Sequence, residues 1–538
     1  MYKPTVLRDY QVDAVSAIER ALNSGLVNSA LLTLPTGTGK TTIFTELAKR
    51  NTNSRTLIVC PMRELIHQAA DKVQHVTGVF PDIEMASFRS TEVGHRCKYI
   101  VASKQTLTMK QRDGSKRYQR LTDIGLLILD EAHTVITGPT IEMIDWYRDR
   151  GAMIVGVTAT PNRHDKKSLK NAFDVCPYSM TLPEAINAGW LVSPRSNVVR
   201  VKSMDLSHVK VQGGDFSATG LNAVVEEERV ELEMADVIAR ESVGLKTAVY
   251  CSSVAQAEKL SEILSVRYGL MAGFVCADEK KCPPEQRLEV LHSFKSDVPG
   301  AIQIVTNCGV LTTGWDFPGL EHIVMARPTK SLSLYTQILG RATRPLSGTV
   351  DFPGSTPELR RAAIADSRKP HFKMTDLVDI SLSHRICTTI DALEGEMDEK
   401  LRDRFMEEVT DGGLVDVQHK MEELRRKIED EERAEKAREA ERVKRQQMLL
   451  EARRRQGIRA NVQYDTVAVD VMDAPGIKQR SLPKVRTGPV ALFGKYKGQP
   501  LAAIDSGYLR WKLTNITKMP EWYRTQIQNE LVTRGGRR

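Results

Sequence analysis

At 538 residues, 41% apolar and 27% charged, the chain is too long for one hydrophobic core, and too balanced for a disordered or membrane-embedded protein. It has no run of eighteen apolar residues, its opening MYKPTVLRDYQ lacks the apolar segment of a signal peptide, and its eight cysteines include no C-x-x-C pair. The formal charge of +9 is uneven: residues 459–538 hold fourteen Lys/Arg against six Asp/Glu, residues 418–457 thirteen against ten, and the first 417 residues sum to −2. These figures predict a protein of about three to five units with reduced thiols, no zinc site and no membrane contact, located in the cytoplasm. The basic C-terminal part suits nucleic-acid phosphates, or simply solubility.

Val12, Val15, Ile18 and Leu22 fall at helical spacing over Leu7–Asn23, with Gly25 as a stop. The opening of this helix, Leu7-Arg8-Asp9-Tyr10-Gln11, offers an aromatic to stack an adenine and an amide, Gln11, to read its edge. The stretch LLTLPTGTGKTT at 31–42 then passes from an apolar strand into a glycine-punctuated loop and a helix. Such a loop cradles phosphate: Thr36, Gly37, Thr38 and Gly39 present backbone N–H groups, Lys40 reaches outer phosphates, and Thr41, followed by Thr42, offers a hydroxyl to Mg²⁺. The strict phosphate-loop template has glycine where this chain has Leu34.

Short apolar strands follow at 56–60, 99–103, 125–130 and 153–159, separated by helices from about Met62 and Pro139. That alternation predicts a doubly wound parallel α/β sheet with ligands at the carboxyl ends of the strands. Asp130 and Glu131 sit at one such end, where Asp130 can hold Mg²⁺ and Glu131 can take a proton from an attacking water. An Asp-Glu pair at that position also suits a plain helix N-terminus.

Taken together, the motifs resemble those of superfamily 2 helicases and translocases. Leu7–Gln11 resembles the Q-type motif, LPTGTGKT motif I, Pro61–Leu65 with Gln68 motif Ia, DEAH at 130–133 motif II, and Thr158-Ala159-Thr160-Pro161 motif III. The resemblance implies two tandem RecA-like domains that bind ATP and Mg²⁺ between them, with Arg8 and Gln11 on the nucleotide. It further implies that His133, Thr158 and Thr160 couple nucleotide state to the nucleic-acid track, which Arg63, Ser103, Gln105 and Thr312 line.

A second set of strands, at 246–251, 273–277, 302–306 and 322–326, follows a proline-bounded hinge and carries no phosphate loop. Val310–Pro318 resembles motif V, in which Gly314 and Asp316 face the nucleotide; the family often has an acid where Thr313 stands and Phe where Trp315 stands. Gln337-Ile338-Leu339-Gly340-Arg341-Ala342-Thr343-Arg344 resembles motif VI, which makes Gln337, Arg341 and Arg344 catalytic. Arg341 and Arg344, three apart, are expected on one helical face pointing into the cleft. Ala326–Lys330 through Gln337 narrows the resemblance to the branch holding the excision-repair helicase, phage recombination helicases and type III restriction motors.

Between Gln418 and Gly457, 23 of 40 residues are charged and acid-first i,i+4 pairs such as Glu422/Arg426 and Glu423/Lys427 predict a long helix. Met421, Leu424 and Ile428 form only a short apolar seam, leaving open a solvated spacer, a coiled coil or DNA-backbone contact. Beyond it, Phe493–Gly498 and Tyr508–Lys512 alternate aromatics with Lys/Arg; they are either a base-binding surface or a small core, and they resemble an exonuclease accessory module.

The domain boundaries read as 1–165 and 201–395 for the RecA-like domains, 166–200 for their linker, 396–457 for the helical spacer, 458–488 for a second linker and 489–538 for the small basic module. The function implied is an ATP-dependent DNA helicase or translocase, at the nucleoid of a prokaryotic or phage-infected cell, with protein partners conceivable through the helix or terminal module. An RNA helicase and a motor-like recruitment subunit are the alternatives. Asp470, Asp473 and Lys478 are close enough to be examined as a nuclease cluster, though no such constellation is evident.

Overall fold

A computed structural model describes residues 6–89, 97–159, 169, 172–312, 314–379, 386–394, 399–409, 413–459, 491, 496, 499, 501–516 and 519–535. The first sheet contains β1 (Ser29–Thr33), β2 (Arg55–Cys60), β3 (Asp82–Glu84), β4 (Tyr99–Ser103), β5 (Ile124–Leu129), β6 (Met153–Thr158) and β7 (Val175–Ser179). Its order is β3-β4-β2-β5-β6-β1-β7 with every pairing parallel. The central strands are buried along their length, which only helices on both faces permit. This order places the loop after β1 beside the ends of β6 and β5, while the ends of β2, β4 and β3 lie on the other side of the sheet's midline.

The second sheet is built from β8 (Pro194–Val201), β11 (Thr247–Tyr250), β12 (Ala272–Cys276), β13 (Ile304–Cys308), β14 (His322–Met325), β15 (Phe372–Asp379) and β16 (Val415–Asp416), ordered β12-β13-β11-β14-β15-β8-β16. Only the β16–β8 pairing is antiparallel. A separate hairpin joins β9 (Val211–Gln212) to β10 (Asp215–Phe216). The two sheets are the tandem RecA-like pair.

Two features differ from the sequence reading. β8 lies within the stretch expected to be a linker, and it pairs with the whole of β15, from Pro194↔Phe372 to Val201↔Asp379. Both strands escaped detection because they bury polar residues, Ser196 and Asn197 in one and Thr375, Asp376 and Asp379 in the other. Asp376 is satisfied there, accepting from Tyr335 Oη at 2.6 Å and from Thr389 N and Oγ1.

The second difference is at residue 396, the expected start of the spacer. The helix Glu399–Val409 and β16 belong instead to the second domain, and Leu401, Phe405 and Val409 share its core with Val417, Met421 and Leu424. The apolar seam of the long helix Val417–Arg459 is therefore covered by its own chain. Ion pairs from Glu408 to Lys420 and from Glu431 to Arg404 tie the two helices together. The expected pairs Glu422–Arg426 and Glu423–Lys427 form on the outer face.

The chain divides into two compact units, 1–442 and 443–538. In the second, Ser506–Asn515 and Glu521–Gly535 pack around Leu501, Leu509, Tyr523 and Ile527. Tyr523 is thus core, while Trp511 and Trp522 are exposed. Thr160, Thr313, Lys495 and the cluster Asp470, Asp473 and Lys478 lie outside the described residues, as does 460–488 of the second linker. No helix among the described residues is long and apolar enough to cross a membrane, and none of their His, Cys, Asp and Glu side chains gather in a metal-sized cluster of three.

Candidate active site

The loop after β1 turns through Gly37 and Gly39, at φ 93° and 77°, a left-handed geometry that glycine adopts without steric cost. The helix Lys40–Arg50 starts immediately after, so its N-terminal amides face the loop. From behind, Tyr10 Oη and Gln11 Nε2 both donate to Thr38 O, at 2.5 and 3.0 Å, and Thr38 Oγ1 donates to Pro35 O. Tyr10 is buried in this role, so it is no platform for an adenine. Gln11 Oε1 accepts from Arg8 N, and the Arg8 side chain donates to both oxygens of Asp351, a residue of the second domain.

Lys40 Nζ stands 3.4 Å from Glu131 Oε1. Both groups are nearly buried, yet Lys40 Nζ and Glu131 Oε2 make no hydrogen bond. Buried donors and acceptors are normally satisfied, so these two atoms, with His133 Nδ1 3.5 Å from Oε2, have capacity left for a bound group. Burial, then the neighbouring Glu131 charge, push the Asp130 carboxyl up to about 7, against the pull of Lys40. Burial would also raise Glu131, but Lys40, His133 and Arg341 outweigh it and hold that carboxyl below its ordinary range.

Glu131 sits at φ 47°, in the left-handed region that a side chain other than glycine rarely adopts. Its N–H donates to Asp130 Oδ1 at 3.0 Å and its carbonyl accepts from Thr134 N and Oγ1, which together fix the strained turn. It caps the short helix Ala132–Val135, so the helix-terminus reading holds for its backbone alone.

His133 links three motifs. Its Nδ1 is 2.9 Å from Thr158 Oγ1 at the end of β6, and its Nε2 is 3.0 Å from Gln337 Nε2 in the second domain. All three side chains are buried.

Arg341 and Arg344 do not share a helical face. The helix Leu332–Leu339 ends at Gly340, which packs so closely on Thr36 that a Cβ there would fall 2.4 Å from the Thr36 Cβ. Beyond Gly340 the chain continues in tight turns, with Arg341 N and Ala342 N donating to Ile338 O and Leu339 O. Arg341 then donates from Nε to Thr312 O at 3.0 Å and from Nη1 to Trp315 O at 2.8 Å, while Arg344 pairs with Asp316. Burial and the like charge of Arg344 lower the Arg341 pKa, against the charges of Glu131 and Asp316.

A cleft of about 640 Å³ collects these groups: Arg8, Gln11, Gly37, Gly39, Thr41, Thr42, Gly314, Asp316, Arg341 and Arg344 all line it. Thr36 borders it from beneath, with a buried and unbonded hydroxyl. At the other strand ends, Arg63 and Gln105 are exposed, Ser103 is buried, and Thr312 is half-buried with its carbonyl taken by Arg341.

Several contacts in and around the cleft were given no role by the motifs. Gln68 donates to Gly314 O across the domains, Lys72 lines the cleft, and Thr343 Oγ1 reaches Thr36 O at 3.4 Å. Trp190, within the expected linker, lies under the Arg8 guanidinium at 5.0 Å and the Arg360 guanidinium at 3.7 Å. Gln68 and Thr343 were visible beforehand, beside motif Ia and within motif VI, though without a role of their own; Lys72 and Trp190 depend on contacts between distant segments.

Comparison with known proteins agrees with this geometry. The family model described as the type III restriction enzyme res subunit matches residues 5–163, and that of the helicase conserved C-terminal domain matches 231–345. The chain belongs to superfamily 2 of the helicases. It is 27% identical over 449 residues to the ATP-dependent helicase IRC3 of Saccharomyces cerevisiae, covering 77% of this chain and 62% of that protein. It is 25% identical over 367 residues to a subunit of the type I restriction endonuclease EcoAI of Escherichia coli, covering 63% of this chain and 44% of that one. The chain therefore spans less than two thirds of these relatives. The type ISP restriction–modification enzyme LlaBIII, solved bound to DNA, shares the fold with a TM-score of 0.50 at 14% identity, over 71% of this chain and 28% of that enzyme. The exonuclease-like module at the C-terminus has no counterpart in these matches.

Proposed function

We propose that this protein hydrolyses ATP in the cleft between its two RecA-like domains and uses the cycle to move along or unwind DNA. The single observation that carries the reading is the buried Lys40–Glu131 pair, with its unbonded Nζ and Oε2, facing a glycine-built loop. Lys40 and the amides around Gly37 and Gly39 hold phosphates. Thr41 and Asp130 suit Mg²⁺, whose charge offsets the buried carboxyl of Asp130 and neutralises phosphate oxygens when bound. Glu131 accepts the proton of the attacking water. Arg341 and Arg344, held ready on motif V carbonyls and Asp316, supply the positive charge that phosphoryl transfer requires.

Gln337 and Thr158, joined through His133, transmit the state of the cleft to Arg63, Ser103, Gln105 and Thr312 on the DNA side; Thr160 belongs to the same coupling motif. The restriction-enzyme relatives, one of them solved bound to DNA, favour DNA over RNA as the partner. The setting proposed is the nucleoid of a prokaryotic or phage-infected cell, although the relatives also include yeast and mitochondrial helicases.

ATPase rates with single-stranded, forked and duplex DNA and with the matching RNAs test this. DNA stimulation is expected, with Lys40→Ala and Glu131→Gln both reducing turnover to background. Stimulation by RNA alone overturns the DNA assignment, and absence of stimulation by any nucleic acid points to a recruitment role.

A further inference from the structure

The carboxyl end of β3 carries a turn that no motif covers. Met85 and Phe88 close it with paired hydrogen bonds, Met85 N to Phe88 O at 3.2 Å and Phe88 N to Met85 O at 2.8 Å. Inside it, Ala86 is held at φ 50°, a left-handed conformation costly for any residue with a Cβ.

The strain persists because buried groups fix it from below. Arg117, 4% exposed, donates from Nη1 to Ala86 O and from Nη2 to Phe88 O, each at 2.6 Å. Its Nε pairs with Glu84, which is fully buried and also accepts from Arg120 at 2.5 Å. A buried ion pair is a poor source of net stability, and its better-attested use is to specify one local geometry. Here the geometry specified lifts Phe88 out of the protein, leaving it 57% exposed beside the exposed Arg89.

The turn also has a fixed neighbour. Ala86 N donates to Thr106 Oγ1 at 3.0 Å, and β3 runs parallel to β4, so Phe88 stands at the same edge of the sheet as Ser103 and Gln105. An aromatic face held in solvent, next to a cation, is the arrangement that stacks a base and meets its phosphate. We infer that Phe88 is a base-stacking contact for a single DNA strand crossing the first domain, with Arg117 and Glu84 as its positioning residues.

The inference rests on the DNA-motor reading, and one set of measurements separates the two. Binding of a fluorescein-labelled oligodeoxythymidine, and of an abasic oligomer with the same phosphate backbone, is measured for the full chain, Phe88→Ala, Phe88→Leu and Phe88→Trp. Stacking on one base corresponds to about 5–150-fold in affinity, so Phe88→Ala and Phe88→Leu are expected to weaken oligodeoxythymidine binding by at least fivefold while abasic binding stays within twofold. Phe88→Trp retains native affinity, and ATP turnover without DNA is unchanged in all three. Arg117→Met, which frees the turn, shifts oligodeoxythymidine affinity in the same direction as Phe88→Ala. Equal binding by native chain and Phe88→Ala overturns the inference, as does equal weakening by Leu and Trp. Failure of the native chain to bind either oligomer also overturns the inference, whereas the motor reading falls only if no DNA, duplex and forked included, stimulates ATP turnover.

Discussion

Glu131 and His322 show how differently one fold treats two buried titratable groups. Glu131 keeps its charge because Lys40 faces it, and it stands on an unusual left-handed backbone beside the phosphate loop's lysine. A change to Gln keeps the shape but removes the proton acceptor, so Glu131→Gln isolates chemistry from binding: nucleotide affinity measured with a fluorescent ATP analogue should persist while turnover disappears. His322 is instead kept neutral in the core of the second sheet. Its Nε2 meets Thr375 Oγ1 at 2.8 Å and its Nδ1 lies near Ser242 and Thr247. Burial, with the nearby Lys373 charge, depresses it to about 3, against the pull of Glu241. The unfolded chain takes up a proton near the ordinary histidine pKa of about 6.5, whereas the folded chain does not, so stability falls as pH drops from about 6.5 towards 3. The slope approaches about 1.4 kcal/mol per pH unit from this residue. Urea unfolding at neutral and mildly acid pH should show a shallower decline for His322→Gln, with lower stability at neutral pH.

At the scale of elements, the strand ends and the helix Leu332–Leu339 form the working contact. His133, on the short helix Ala132–Val135 that follows β5, touches Thr158 at the end of β6 and Gln337 on Leu332–Leu339, so a helix and a strand of one domain and a helix of the other share a single buried imidazole. Side chains in one hydrogen-bond network couple by about 0.5–3 kcal/mol and do not add when changed together. His133→Ala and Gln337→Ala should each diminish DNA stimulation of ATP turnover, and the double variant should be little worse than either alone. Independent, additive losses measured in that cycle would remove the link.

For the molecule as a whole, the boundary between motor and appendage lies later than composition suggests. Cutting after residue 400 removes β16 and, with Leu401, Phe405, Val409, Val417, Met421 and Leu424, a buried part of the second domain's core. Each large apolar side chain fully buried is worth about 1.5–3 kcal/mol, so a chain of residues 1–400 should lose several kcal/mol in denaturant unfolding. A chain of residues 1–442 keeps that interface and should unfold at nearly the native midpoint. Comparing the DNA affinity of 1–442 with the full chain then measures what the basic C-terminal unit adds; unchanged affinity would assign its charge to solubility.

The sequence by itself determined the parallel sheets, the phosphate loop and the motif order, because continuous apolar strands, glycine spacing and Asp-Glu after a strand are local patterns with local physical causes. Residues such as Gly39, Lys40, Asp130 and Glu131 were legible for that reason. Tertiary structure decided the rest. β8 and β15 pair along their length while burying polar side chains that other elements satisfy, as Tyr335 and Thr389 do for Asp376 and Glu241 does for Asn197. Tyr10 was taken from the nucleotide by Thr38, and the helix that precedes Arg341 and Arg344 stops at Gly340, so the two reach the cleft from beyond it. Trp190, Asp351 and Arg117 carry no signal in the chain, since what each one does depends on a partner brought to it from a distant segment.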